Sequence, residues 1–175
     1  MAEARVRAVG IDTGPGRPVV LLEEAGGRGR LVPVGIGEAE AAALAAALAG
    51  MPPASRPDTY RLILAVLAEF GEKVRQVRVR ALQDRVFHAE LVLEGGTVVD
   101  ARTSDAVVLA LLEKAPIDVA EAVFDEVGVA AESVTVQGAD DRAAGRADDP
   151  ASEVEEFRRF LDTARPEDFG PEERG

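Results

Sequence analysis

The stretch KVRQVRVRALQDRVFHAELVLEGGTVVDARTSDAVVLALLEK, residues 73–114, decides the fold prediction because it holds three strands and a helix in close succession. In residues 73–82 valine alternates with arginine, which is typical of a half-buried strand. Residues 86–93 and 97–101 predict two further strands joined by a glycine turn. Ser104–Lys114 predicts a helix, with Ser104 as its N-cap.

The same order of elements precedes this stretch. Three strands and a helix are predicted at Arg5–Asp12, Pro18–Glu23, Arg30–Gly35 and Glu38–Leu48. At an offset of 65 residues Glu40 aligns with Asp105, and Leu44 aligns with Leu109. The repeated order indicates an internal duplication.

The remaining apolar segments complete the main body. A further helix is predicted over Asp58–Phe70, where Leu62, Val66 and Phe70 share a face, and a short apolar step at Ile117–Val119 leads to a last helical segment over Ala120–Val127. The predicted fold class is therefore α+β: duplicated strand-strand-strand-helix units form a mostly antiparallel or mixed sheet with helices packed on it, plus a C-terminal helix. Residues 1–130 are expected to form this domain.

The last quarter of the chain differs in composition. Residues 131–150 are rich in Ala, Gly, Asp and Arg, which predicts a flexible acidic linker. Residues 151–175 are predicted to contain a helix and a tail, because Ser152 and Glu155 form a capping box ahead of an apolar stripe at Val154, Phe157, Phe160 and Leu161. Such a stripe should pack on the body or on a neighbouring subunit.

Composition excludes several classes of site. The 175 residues contain no cysteine and one histidine, so thiolate chemistry is excluded and histidine-built metal sites nearly so. Without a leader-like segment or an apolar run of about 20 residues, a cytoplasmic protein is expected. The net charge of −12 argues against indiscriminate nucleic-acid binding, although a local basic strip remains compatible with it.

Two candidate motifs carry little weight. Gly35-Ile36-Gly37 opens a helix after a strand, as a dinucleotide-binding loop does, but Glu38 and Glu40 stand where a pyrophosphate needs bare amides. We therefore reject that motif. The single histidine, His88, is expected to lie on the wetter face of its strand, because the sequence identifies no partner that would orient it as a base.

The sequence has one basic cluster, a candidate phosphate-binding strip that consists of Lys73, Arg75, Arg78, Arg80 and Arg85. Arg78 and Arg80 share one strand face and could contact consecutive phosphates. A solvated edge strand protected by charge explains the same pattern equally well.

Glu40 and Asp105 are candidate catalytic residues. Each is expected in the first turn of the helix that ends its repeat, so pseudo-symmetry could bring both carboxylates to one cleft. Paired carboxylates can hold a divalent cation and activate water for phosphodiester hydrolysis. The competing explanation is that acidic residues favour helix N-termini through the helix dipole.

Several segments resemble the bifunctional nuclease (BFN) domain family, and in particular its actinobacterial members. The matching segments are PVVLL (18–22), LVPVGIG (31–37), RPDTYRL (56–62), VFHAEL (86–91), ARTSDA (101–106), FRRFLD (157–162) and PEDF (166–169). The resemblance implies hydrolysis of DNA and RNA, a duplicated strand-strand-strand-helix fold, and a homo-oligomer, for which we expect a dimer.

Departures from the family pattern concern the site. Where the family carries a His-Asp pair this chain has Tyr60-Arg61, and His88 replaces a common tyrosine. Gly35 replaces a tryptophan that is usual in the family, and Thr103 replaces the proline of the family's A-R-P-S-D-A segment.

Two main hypotheses follow. The first is a nuclease of low sequence preference that acts on DNA and RNA, assisted by a divalent cation such as Mg or Mn. In it Glu40 and Asp105 are catalytic, while Arg78, Arg80 and Arg102 bind substrate. The alternative is a catalytically silent interaction or regulatory module that retains the fold. A small-anion binding domain is a third, weaker hypothesis.

Overall fold

The computed structural model describes residues 1–12, 16–52, 55–130 and 136–137. The chain divides into two units, Met1–Ala139 and Asp140–Gly175, and all described residues belong to the first. The predicted helix and tail at 151–175 therefore lie outside the described residues, as does most of the predicted linker at 131–150. That domain division stays a prediction.

Nine strands and four helices lie within the described ranges. The strands are β1 (Ala2–Asp12), β2 (Arg17–Glu24), β3 (Arg30–Gly35), β4 (Val74–Gln83), β5 (Val86–Leu93), β6 (Val98–Arg102), β7 (Ile117–Val119), β8 (Val129–Ala130) and β9 (Val136–Gln137). The helices are α1 (Glu38–Leu48), α2 (Thr59–Glu69), α3 (Thr103–Glu113) and α4 (Glu121–Val127).

The strands form one sheet in the order β6-β5-β4-β7-β1-β2-β3-β8, and β9 pairs with β1. Two antiparallel meanders, β1-β2-β3 and β4-β5-β6, are each followed by a helix, α1 and α3. The α+β class and the mostly antiparallel sheet are thus confirmed. Strand β7, predicted only as an apolar step, joins the halves by pairing parallel with β4 and antiparallel with β1.

The core lies between one face of the sheet and the helices. Val77 and Val79 of β4 are fully buried there together with residues of α3, as the alternation of β4 predicts. A smaller cluster, Val19, Leu21 and Leu31, lies on the opposite face of the first meander.

The start of α3 differs from the prediction. Arg102, with φ −66° and ψ 143°, is the N-cap, and the helix begins at Thr103. Ser104 is therefore the second helical residue rather than the cap, and it is buried. The prediction was wrong because Thr103 and Ser104 are both cap-type residues, and the sequence does not show which backbone turns first.

Helix α2 leaves an apolar face uncovered. Its N-cap, Asp58, accepts a hydrogen bond from the Arg61 amide, as a capping residue should. The predicted stripe lies largely in solvent: the relative exposure is 53% for Leu62, 48% for Val66 and 81% for Phe70. None of the helices in the described ranges has the length and apolarity needed to cross a bilayer.

Candidate active site

The carboxylates of Glu40 and Asp105 both contact the guanidinium group of Arg102. Each is the third residue of its helix, α1 or α3. Arg102 contacts Glu40 Oε1 through Nη2 at 2.8 Å, and it binds Asp105 through Nε at 2.7 Å and Nη2 at 3.0 Å. The two candidate catalytic carboxylates therefore lie within reach of one guanidinium, as the pseudo-symmetry predicts.

The two repeats differ at the N-cap of the helix. Gly37 caps α1 and Arg102 caps α3, at the same 65-residue offset as Glu40 and Asp105. A Cβ built at Gly37 would lie 2.3 Å from Glu40 Oε2, so only glycine leaves room for this carboxylate to fold back over the helix start. The first repeat supplies space here, whereas the second supplies a positive charge.

Tyr60 extends the cluster from α2. Its hydroxyl donates a hydrogen bond to Asp105 Oδ1 at 3.0 Å. Burial, followed by this hydrogen bond to a carboxylate, raises the pKa of Tyr60 to about 12. The phenol is therefore protonated near neutral pH and acts there as a donor. The position that resembles the family's histidine thus lies at the site, whereas the next residue, Arg61, pairs with Asp58 and with the Met51 carbonyl.

Arg102 keeps its charge and is accessible. The hydrogen bonds to Asp105 raise the pKa of Arg102 above its already high value, and Glu40 adds to this effect. Its side chain is nevertheless 69% exposed, against 14% for Glu40 and 27% for Asp105. The guanidinium can therefore meet a ligand from solvent while the carboxylates stay shielded behind it.

A cleft of about 490 Å³ opens beside this cluster. It is bounded by the ends of β3 and β6, which belong to opposite halves of the sheet, so the sheet curves to bring them together. Besides Glu40 and Arg102, the cleft is lined by Arg17 and Arg85. Sequence reasoning counted Arg85 in the basic cluster of residues 73–85 but gave it no role of its own. It missed Arg17, which lies beside a turn, where arginine is unremarkable.

Arg78 and Arg80 lie elsewhere and already have an anionic partner. They share a face of β4, as predicted, opposite the buried Val77 and Val79. Glu90 of β5 pairs with both, at 3.4 Å from Arg78 and 2.7 Å from Arg80. Neither arginine lines the cleft. Their role as phosphate contacts stays a prediction, and a neighbouring carboxylate already balances part of their charge.

His88 is separate from the cluster in its bonding. It lies on β5 opposite Arg102 of β6, on the face away from the core residue Ala89. Its imidazole forms no hydrogen bond or ion pair with other residues in the described part of the chain. It therefore has no orienting partner there, as a general base would need.

The donor set suits only a weakly held metal. In the described ranges no group of three or more His, Cys, Asp or Glu side chains is arranged to hold an ion. Two carboxylates, Glu40 and Asp105, lie within 3.0 Å of the same nitrogen, Arg102 Nη2, and magnesium is commonly bound through one or two carboxylates plus substrate phosphates. A cation between them would have to displace Arg102.

Comparison with known proteins identifies the family. Residues 19–132 match the family model described as the bifunctional nuclease domain. Two Mycobacterium tuberculosis proteins, uncharacterized protein MT1877 of strain CDC 1551 / Oshkosh and uncharacterized protein Rv1829 of strain H37Rv, are each 38% identical to this chain over 169 residues. The alignment covers 97% of this chain and 98% of each relative. The chain belongs to the bifunctional nuclease domain family.

Proposed function

We propose that this member of the bifunctional nuclease domain family is a nuclease that hydrolyses phosphodiester bonds of DNA and RNA with little sequence preference. The observation that supports this most is the convergence of Glu40 and Asp105, one from each repeat, on Arg102 beside an arginine-lined cleft. Such a cluster combines a cation that can hold a phosphate with carboxylates that can take a proton from water.

The roles follow from charge and exposure. Two carboxylates and one guanidinium give the cluster a net charge of −1. When Arg102 turns toward a phosphate, a carboxylate is therefore free to act as a base. Arg102 binds the phosphate because its donor fork matches that geometry and its side chain already faces solvent. One of the two carboxylates, Glu40 or Asp105, then takes the proton of the attacking water while the other orients that water, and Tyr60 holds Asp105 in place. The P–O bond to the leaving sugar oxygen breaks, and that oxygen takes a proton from solvent.

A divalent cation such as Mg²⁺ or Mn²⁺ fits this site as a companion of the substrate. Glu40 and Asp105 would hold it, and the phosphate would complete its ligands. When bound, it would supply charge neutralisation and a more acidic water.

The proposal includes a homodimer in the cytoplasm. The exposed face of α2, with Leu62, Val66 and Phe70, offers the kind of apolar patch that marks protein interfaces. A chain without disulfides that acts on cellular DNA and RNA suits the cytoplasm. Sedimentation equilibrium should give twice the chain mass, and Phe70→Asp should give a monomer.

One observation favours the alternative of a catalytically silent module. Arg102 binds both carboxylates at once, and Tyr60, a donor of high pKa, stands where relatives are expected to carry an imidazole. A regulatory module would keep this cluster only as a link between α1 and α3.

The decisive experiment is a cleavage assay. Purified protein is incubated with single-stranded DNA and with RNA, in Mg²⁺, in Mn²⁺ and in EDTA. Activity that co-elutes with the protein through two columns supports the nuclease. A loss in EDTA supports the cation, and the absence of cleavage in every condition favours the silent module.

Three variants assign the activity to the cluster. Glu40→Gln and Asp105→Asn keep the side-chain shapes and remove the charge, so each should abolish cleavage while the fold survives. The double variant should be no worse than either single one, since groups that act as a unit are non-additive. The matched control is Glu38→Gln, an exposed acid of the same helix turn as Glu40. Equal activity in all variants would reduce Glu40 and Asp105 to helix-start acids.

A further inference from the structure

We infer that Arg17 and Arg85 form a second phosphate-binding element, which holds the backbone of a single strand in the cleft beside Arg102. This rests on the proposed function, because it names the form of nucleic acid that the proposed site accepts. Both residues line the cleft with Arg102.

The first argument is the pairing of the arginines. Several arginines of the sheet have a carboxylate partner, as Arg30 has Glu24 and Arg80 has Glu90. Neither Arg17 nor Arg85 forms an ion pair with any carboxylate in the described ranges. Among the residues that line the cleft, three arginines, Arg17, Arg85 and Arg102, stand against one carboxylate, Glu40, so the local field favours an anion although the net charge of the chain is −12.

The second argument is the backbone at Arg85. Asp84 and Arg85 connect β4 to β5 with φ values of 49° and 64°. A two-residue hairpin turn with both φ values positive strongly favours Asn-Gly or Asp-Gly, since glycine adopts the second conformation without steric cost. Arginine at the glycine position is strained, and strained backbone positions cluster at ligand-binding sites.

The third argument is the shape and lining of the cleft. Its volume of about 490 Å³ is that of a small-molecule pocket rather than of a groove that accepts a duplex. Its remaining lining is largely apolar and includes Val86, which is 56% exposed, beside Phe87. A cationic path beside an apolar surface suits a flexible strand whose bases can turn inward, whereas a duplex keeps its bases stacked inside.

The test measures binding separately from cleavage. Fluorescence anisotropy with a labelled single-stranded DNA 12-mer is carried out in EDTA over a range of salt concentrations. We expect Arg17→Gln/Arg85→Gln to weaken binding at least tenfold at low salt. It should also reduce the slope of log affinity against log salt by about 1.4, for two lost single-strand phosphate contacts. Arg28→Gln, which removes an exposed arginine from another hairpin turn, should change neither quantity.

A second variant separates binding from folding. Arg85→Gly relieves the positive φ, so it should raise Tm while it weakens binding. A duplex of the same sequence should bind at least tenfold more weakly than the single strand. A mononucleotide at the same phosphate concentration should not compete, which distinguishes a strand from a free nucleotide.

The outcomes separate this inference from the proposed function. An unchanged salt slope in the double variant, equal binding of duplex and single strand, or full competition by a mononucleotide would overturn it. Strand binding that depends on Arg17 and Arg85 in a protein that cleaves nothing would refute the nuclease and leave this inference standing.

Discussion

The first meander, β1-β2-β3, carries its buried ion cluster on the helix side of the sheet, whereas the second, β4-β5-β6, carries its ion cluster on the open side. Arg30 lies over the Phe124 ring, 4.7 Å from its centroid, and pairs with Glu24 and with two carboxylates of α4. In the second meander Glu90 pairs with Arg78 and Arg80 opposite the core valines. On the side of the sheet away from the helices, the first meander instead has the buried apolar cluster of Val19, Leu21 and Leu31.

The two repeat-ending helices differ in the same way. In α3 the buried residues span most of two turns, from Thr103 to Ala110, whereas in α1 only Leu44 is buried. Helix α3 contacts α1, α2, β4 and β5, so it is the central helix of the core. A duplicated plan therefore serves two purposes: one copy builds the core and supplies Arg102, and the other covers it and supplies Glu40.

The largest effect should come from testing equivalent positions in these helices. Val107 of α3 is fully buried, and its counterpart in α1, Ala42, is exposed. Val107→Asn should cost about 3–5 kcal/mol, because it buries an unpaired amide and loses apolar burial. Ala42→Asn should cost only about 0.5 kcal/mol of helix propensity. Urea unfolding measures both, and equal losses would contradict the division of roles.

The next effect concerns the ion cluster of the first meander. The hydrogen bonds from Arg30 lower the pKa of Glu24 to about 2, below its unfolded value. A carboxyl group whose pKa is lower in the folded than in the unfolded protein stabilises the fold at pH values above its unfolded pKa. This stabilisation should therefore be lost as the pH falls from about 4.3 toward 2. Arg30→Met should lower Tm at pH 7 and shrink that acid-side loss, because the folded pKa of Glu24 then no longer lies far below its unfolded value.

Its control is an exposed pair on the same meander. Arg5 pairs with Glu23 at 2.9 Å, but its side chain is 68% exposed. Arg5→Met should therefore change stability by less than about 1 kcal/mol. Scans of Tm against pH for both variants test the contrast, and parallel curves would show that Glu24 does not depend on Arg30.

A smaller effect on folding, with a larger one on chemistry, is expected at Gly37. The new Cβ of Gly37→Ala meets only the far end of Glu40, so the fold should lose about 1 kcal/mol at this N-cap. The displaced carboxylate should cost about 10–100-fold in cleavage. Gly95→Ala, where a Cβ likewise meets the far end of a glutamate, Glu72, but outside the cleft, should spare the activity. Equal activity in the two variants would show that the position of Glu40 does not matter for cleavage.

The smallest effect is expected at Tyr60. Tyr60→Phe removes the hydroxyl that donates to Asp105 and should cost about 0.5–1.5 kcal/mol. Because the pKa of Tyr60 is about 12, the wild-type rate should show no inflection from this group near neutral pH. Tyr60→His should introduce one near pH 6–7, and a flat pH profile in that variant would show that position 60 does not face the reaction.

The elements of the fold were predictable because their patterns are local. The strand bounds of β3 and β5 and the helix bounds of α1 agree with the periodicity and the glycine stops. The proximity of Glu40 and Asp105 was also foreseen, since a duplicated sequence places equivalent residues at equivalent helix starts. Strand β7 was not recognised, because three residues are too few to show a period.

Contacts across strands and turns could not be predicted. That Glu90 neutralises Arg78 and Arg80 depends on the register of β4 with β5, which includes two irregularities. Arg17 and Arg85 join the cleft only because the sheet curves, and no local pattern encodes that curvature. The bridging by Arg102 of both carboxylates likewise depends on the packing of α1 against α3.

The position of β7 has a consequence for how the chain is made. Ala2–Ala4 of β1 pair with Ile117–Val119, so this end of β1 has no partner until more than a hundred further residues have been synthesised. Until then both meanders can fold locally, but each exposes an unpaired edge to other nascent chains. Closing so long a loop costs conformational entropy and slows folding. We therefore expect β7 to be inserted between the two meanders late in folding. A chain truncated before residue 117 should therefore be held by chaperones or aggregate.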